Sequence, residues 1–139
     1  MSTMTQNPTI VSIANDVFAH CKAGDESVDF VEYDGQIWDK HFADGWTSIE
    51  GDGRVYNGRD EVIAKYREWQ QGVTMYGCEV EGPFIGKDNF SIIFEIDMEP
   101  KDGSFPRMKM KEVATYTIEN GKIVKEEFCY PPMPDCGEG

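Results

Sequence analysis

One carboxylate stands where the pattern of the chain calls for an apolar side chain. If the segments on either side of Pro100–Pro106 pair symmetrically about Gly103, Glu99 faces Arg107, Asp97 faces Lys109 and Glu95 faces Lys111. Three opposite-charge cross-strand pairs then share one face, which reads as solvent or a subunit contact. The other face carries Ile92, Phe94, Ile96 and Met98 against Met108, Met110 and Glu112. An acid on an apolar face is costly unless it is paired, protonated or beside a cavity, and a protonated acid near neutral pH can carry a proton. Glu112 is therefore a candidate for acid–base chemistry.

The hairpin at Asn120-Gly121 decides what lies beside Glu112. A two-residue type I′ turn pairs Glu119 with Lys122 and turns Glu127 and Cys129 inward. A three-residue loop with a bulge at Gly121 turns Val124, Glu126, Phe128 and Tyr130 inward instead. The second register is preferred, because it buries Val124, Phe128 and Tyr130 rather than Lys125 and Glu127.

Other reactive side chains are less suggestive. His20 lies one helical turn from Asp16 and reads as a surface pair. His41 reads as a histidine at a helix C-terminus. The four cysteines, Cys21, Cys78, Cys129 and Cys136, form no CxxC and no zinc-type spacing with either histidine. No metal or cofactor is called for, and reduced thiols with no basic, apolar leader point to the cytoplasm.

The elements that must position these residues follow from periodicity. Asn7-Pro8 opens a helix with Ile10, Ile13, Ala14, Val17, Phe18 and Cys21 on one stripe, closed by Ala23-Gly24. The stretch Asp25–Asp44 reads as two short helices broken at Asp34-Gly35. Trp46–Glu50 reads as a strand, Gly51-Asp52-Gly53 as a turn, and Asp60–Gln71 as a third helix carrying Val62, Ile63, Tyr66 and Trp69. From Val73 the period changes to two, with strands at about 74–85, 89–99, 106–119 and 122–130. Helices first and a meander of strands last predict an α+β domain with a bent, mostly antiparallel sheet. The 139 residues suit one domain, with tails at 1–8 and 131–139. A net charge of −13 argues against nucleic acid and anionic membranes as partners.

Four segments carry a resemblance. They are Lys22-Ala23-Gly24-Asp25, His41-Phe42-Ala43-Asp44, Tyr56-Asn57-Gly58-Arg59-Asp60-Glu61-Val62-Ile63 and Glu119-Asn120-Gly121-Lys122-Ile123-Val124. In this order, from about Thr9 to Tyr130, the chain resembles the SnoaL-like branch of the nuclear-transport-factor-2-like superfamily. The resemblance implies a cone-shaped sheet wrapped round the first helix, a pocket at its open end, and a homodimer through the outer sheet face. The superfamily spans isomerases, cyclases, dehydratases and binding modules, so the site must decide the function.

Against the ketosteroid isomerases of that superfamily, the resemblance puts Glu50 at the position of the carboxylate base. Their tyrosine and protonated-acid donors fall on Val17 and Ala114, and a pocket aromatic falls on Tyr130. Without those donors, steroid isomerisation by that mechanism is not expected. Two readings remain. One is a module binding a small apolar or carbonyl-containing molecule in a pocket bordered by Trp46, Glu50, Glu112 and Tyr130 and lined also by Val17, Ala114, Glu126 and Phe128. The other is a cofactor-independent isomerase, cyclase or dehydratase with Glu50 as base, Glu112 or Glu126 as second acid and Tyr130 as donor. The plainer alternative for Glu50 is an ion pair with Arg54.

Overall fold

The structure is a computed structural model and describes residues 7–25 and 27–132. Of the tails expected at 1–8 and 131–139, residues 1–6 and 133–139 lie outside the described residues, while Pro8 already belongs to the first helix. Helix α1 (Pro8–Ala23) begins as its sequence dictates: the Asn7 side chain accepts the Thr9 N–H at 2.9 Å, and Pro8 occupies the first turn. Its buried stripe of Ile10, Ile13, Ala14 and Val17 lies against the sheet.

Helix α2 (Phe30–His41) corrects the sequence expectation of two short helices, because it runs unbroken through Asp34-Gly35. An interior glycine costs a helix about 1 kcal/mol. Tertiary contacts on both sides offset it. Tyr33 stacks on His20 of α1 at 3.9 Å between ring centroids and donates its hydroxyl to the His20 carbonyl at 2.6 Å. One turn later Ile37 and Trp38 are buried in the core.

Strand β1 (Phe42–Ile49) follows at once, so the first strand starts four residues earlier than Trp46. β2 (Val55–Asn57) returns across the Gly51–Gly53 turn, and α3 (Gly58–Gly72) leads into four long strands. These are β3 (Val73–Ile85), β4 (Asn89–Pro100), β5 (Met108–Glu119) and β6 (Lys122–Cys129). The six strands form one sheet in the order β2-β1-β6-β5-β4-β3. Only β1 and β6 run parallel; every other neighbouring pair is antiparallel.

The β4–β5 register is the one read from the charges: Phe94 opposes Glu112, Glu95 opposes Lys111, and Asp97 opposes Lys109. The ion pairs themselves run diagonally. Arg107 grips Asp97 with two bonds of 2.9 Å and stacks on Tyr76 at 3.8 Å, while Lys109 reaches Glu95 at 4.0 Å. The inner face holds Phe90, Ile92, Met98, Met110, Ala114 and Tyr116, all buried.

The last hairpin combines the two registers weighed above. Asn120 and Gly121 have φ of 52° and 75°, and Glu119 opposes Lys122, so the turn has two residues with the positive φ pair of type I′. A bulge follows at Val124, between the Thr117–Lys125 and Ile118–Ile123 pairs. Ile123, not Val124, is therefore fully buried, and the displaced residue lies three positions beyond Gly121. Beyond the bulge Tyr116 opposes Glu126 and Ala114 opposes Phe128, so Glu126 and Phe128 face inward as expected.

Candidate functional site

Alternation along β1 puts Trp46, Ser48 and the following Glu50 on one face. Trp46 and Ser48 are buried. Helix α3 delivers Lys65 to the same place. Its ammonium lies 3.0 Å from Glu50 Oε1 and donates to Ser48 Oγ at 3.0 Å. Lys65 is 6% exposed, and its charge sits 4.7 Å from the centre of the Phe128 ring and 5.4 Å from that of Tyr56. Both rings present π-faces that favour a cation.

The other oxygen of Glu50 is occupied as well. Tyr130, just past β6, donates its hydroxyl to Glu50 Oε2 at 3.2 Å. Glu50 is thus held from both sides, and its partner is Lys65. The alternative pair with Arg54 does not form, because Arg54 turns back to Asp52 at 2.7 Å.

Glu126 is 3% exposed and accepts the Trp46 indole N–H at 3.3 Å, with the Ser48 hydroxyl close enough to favour its charged form. Burial raises its carboxyl above the ordinary glutamate value, against the pull of Lys65 and its two donors. Glu112 is pushed up to about 7. Burial is the main cause, the Glu50 charge adds to it, and Lys65 opposes it. The Tyr130 phenol is pushed up to about 12 by burial and by Glu50 beside it. Three carboxyl groups therefore share one ammonium. The two on the inner sheet face hold their protons more tightly than a free acid does.

Val17 and Ala114 are in the hydrophobic core, at 2% and 0% exposure. Neither can supply a hydrogen-bond donor from its side chain. Sequence reasoning missed Lys65 and Ser48. The signal for Lys65 was present: it lies three residues after Val62 and directly before Tyr66, on the apolar stripe of α3. A lysine inside such a stripe marks either a snorkelling side chain or a buried ion pair. For Ser48, the position between Trp46 and Glu50 on one strand face was the available sign.

The histidines pair differently from the sequence expectation. Asp16 bonds His41 at 2.7 Å, and His20 lies 3.4 Å from Asp34, so each histidine bridges α1 and α2. The crossover arises because α2 packs alongside α1. A cleft of about 560 Å³ opens there, lined by Asp16, His20 and Asp39 among others, away from the Glu50 cluster. Among the described residues no group of His, Cys, Asp or Glu is arranged to hold a metal ion. Nor is any described helix long and apolar enough to cross a membrane. Cys21, Cys78 and Cys129 are free thiols.

The profile of the SnoaL-like domain family matches residues 26–130. The chain belongs to that family. Among solved structures it is similar to a candidate SnoaL-like polyketide cyclase (also labelled carbohydrate phosphatase) from Mesorhizobium loti. The two are 34% identical over 91% of this chain and all of the other, with a TM-score of 0.73. A second candidate SnoaL-like polyketide cyclase, from Jannaschia, is 17% identical over 92% of this chain and 91% of its own, with a TM-score of 0.64. A protein of ketosteroid isomerase-like fold from Catenulispora acidiphila, in complex with trimethylamine, is 12% identical over 91% and 87%, with a TM-score of 0.59. The last two establish the shared fold alone. No curated protein matches significantly.

Proposed function

We propose that this SnoaL-like domain binds a small apolar or carbonyl-containing molecule at the Glu50–Lys65–Glu112 cluster and moves a proton on it without a cofactor. The reaction class is isomerisation, cyclisation or dehydration. One observation carries the reading: Glu112 has a pKa of about 7 beside a carboxylate already fixed by Lys65 and Tyr130. Acid–base roles are assigned where neighbouring acids are pushed apart in pKa. Both Glu50 oxygens have partners, so Glu112 is the better proton carrier and Glu50, with Lys65, sets the field around it. Tyr130 and the Trp46–Glu126 pair orient the ligand's polar end and wall its apolar end. The name of the Mesorhizobium protein is in keeping with cyclisation.

The second reading is a binding module without chemistry. Val17 and Ala114 favour it, since the core gives no oxyanion donor at those positions. Deuterium exchange separates the two. The chain is incubated in D₂O with a panel of 1,3-dicarbonyl compounds and cyclic ketones, and loss of the acidic C–H is followed by proton NMR. The proton-transfer reading expects faster exchange than buffer, with Glu112→Gln slower by roughly 10²–10⁴-fold. A rise in melting temperature without exchange selects the binding module. Neither response across the panel overturns both.

A homodimer through the outer sheet face, in the cytoplasm, belongs to the same proposal. The exposed Tyr76–Arg107–Asp97 cluster lies on that face. Sedimentation of wild type and Tyr76→Asp tests it: a dimer that the substitution splits supports the contact, and a monomeric wild type removes it.

A further inference from the structure

We infer that Gly51 is a positioning residue whose missing side chain is the seat of the Tyr130 ring. This rests on the proton-transfer reading of the same site. A Cβ on Gly51 would lie 2.9 Å from Cδ1, Cε1 and Cζ of Tyr130, closer than real Cβ contacts come. Three ring atoms at one distance mean that the ring lies across the Gly51 backbone. From there its hydroxyl reaches Glu50, the residue just before Gly51, at 3.2 Å.

The backbone does not ask for glycine here. Gly53, two residues on, has a φ of 92°, which side chains rarely adopt, whereas Gly51 is outside the positive-φ region. What excludes a side chain at 51 is the ring. The two backbones have little freedom to separate. Tyr130 follows β6, which runs parallel to β1 with Glu127 beside Ile49, so both residues leave the sheet together. Pro131 then restricts the Tyr130 backbone to extended conformations. A methyl group at 51 must therefore tilt the ring and draw the hydroxyl off Glu50. Gly51 acts on the site only through Tyr130.

The test uses Gly51→Ala, Tyr130→Phe and the double variant of the full chain. With acetylacetone as the exchange probe, each single variant is expected to lose about tenfold or more, as for a hydrogen bond to a charged group. The double is expected to lose no more than either single, because both remove one contact. Multiplying losses would overturn the inference. A readout independent of activity is the ¹³Cζ tyrosine resonance that disappears in Tyr130→Phe. It is expected to shift in Gly51→Ala, and an unshifted resonance overturns the inference too. That arm still decides if the wild type fails to exchange acetylacetone, which would count against the proton-transfer reading alone. Should Gly51→Ala fold poorly, Gly51→Ala in a Tyr130→Ala background is expected to recover the melting temperature of Tyr130→Ala. No recovery would place the clash elsewhere and overturn the proposal.

Discussion

The two faces of the sheet carry the same kinds of group under opposite conditions. On the outer face Asp97 and Glu95 meet Arg107 and Lys109 in water, each acid with its own base. On the inner face and the adjoining end of β1, Glu50, Glu112 and Glu126 share the single Lys65 among aromatic rings. Outer charges are screened by solvent and salt, so their pairing orders the hairpin more than it stabilises the fold. Inner charges cannot be relieved by water. Burial instead raises the proton affinity of Glu112 and Glu126 above that of a free glutamate. The difference shows where an acidic protein can do chemistry: where its acids outnumber their partners away from solvent.

The largest effect is expected from removing the shared cation. Lys65→Met leaves the half-buried Glu50 without its counter-charge and should cost about 3–5 kcal/mol in denaturant unfolding. A cost no larger than that of an outer-face substitution would erase the distinction between the faces.

Next comes Glu112. Its folded pKa, about 7, lies above the ordinary glutamate value of 4.5. Between those values the native state binds more protons than the unfolded chain, so stability falls as pH rises from about 5 to 8. The penalty is fully present above pH 7 and absent below pH 4.5. Glu112→Gln removes it, and should raise stability at pH 8 by about 3 kcal/mol while flattening that part of the pH profile. Thermal unfolding across pH 4–9 measures both.

The smallest effect is expected outside. Arg107 holds the Asp97 carboxyl below the ordinary value, through its hydrogen bond first and its charge second. A lowered carboxyl contributes stability above its unfolded pKa and loses it as pH falls through the folded one. Arg107→Ala should therefore leave the melting temperature nearly unchanged at pH 7 and in high salt, with its slight deficit fading as pH falls below the ordinary aspartate value of 3.8. A drop as large as that from Lys65→Met would make the outer ladder a structural keystone, contrary to its exposure.

Much of the outer face could be read in advance because its information is local. Alternating charges around Gly103 admit one symmetric pairing, and a slip of one residue would put lysines in the core. The inner site was only half legible. Glu112 announced itself as the odd member of an apolar set, and Tyr130 and Glu126 followed from the preference for buried aromatics. The bulge at Val124 rather than at Gly121 was hidden, since either turn satisfies Asn120-Gly121 and only packing of Ile123 chooses. The single helix α2 was hidden because its interior glycine is compensated by His20, a residue of another helix. Lys65 was hidden for the same reason. Its role depends on Ser48 in β1 and Glu50 just past it, 17 and 15 positions earlier, a relation that no periodicity within α3 expresses.

The central claim is that Glu112 keeps a proton which ordinary glutamates have lost at neutral pH. A titration of ¹³Cδ-labelled glutamate, with the Glu112 resonance assigned by its absence in Glu112→Gln, measures this directly. The account predicts a midpoint near 7. A midpoint near 4.5, the value of an unperturbed glutamate, would contradict it.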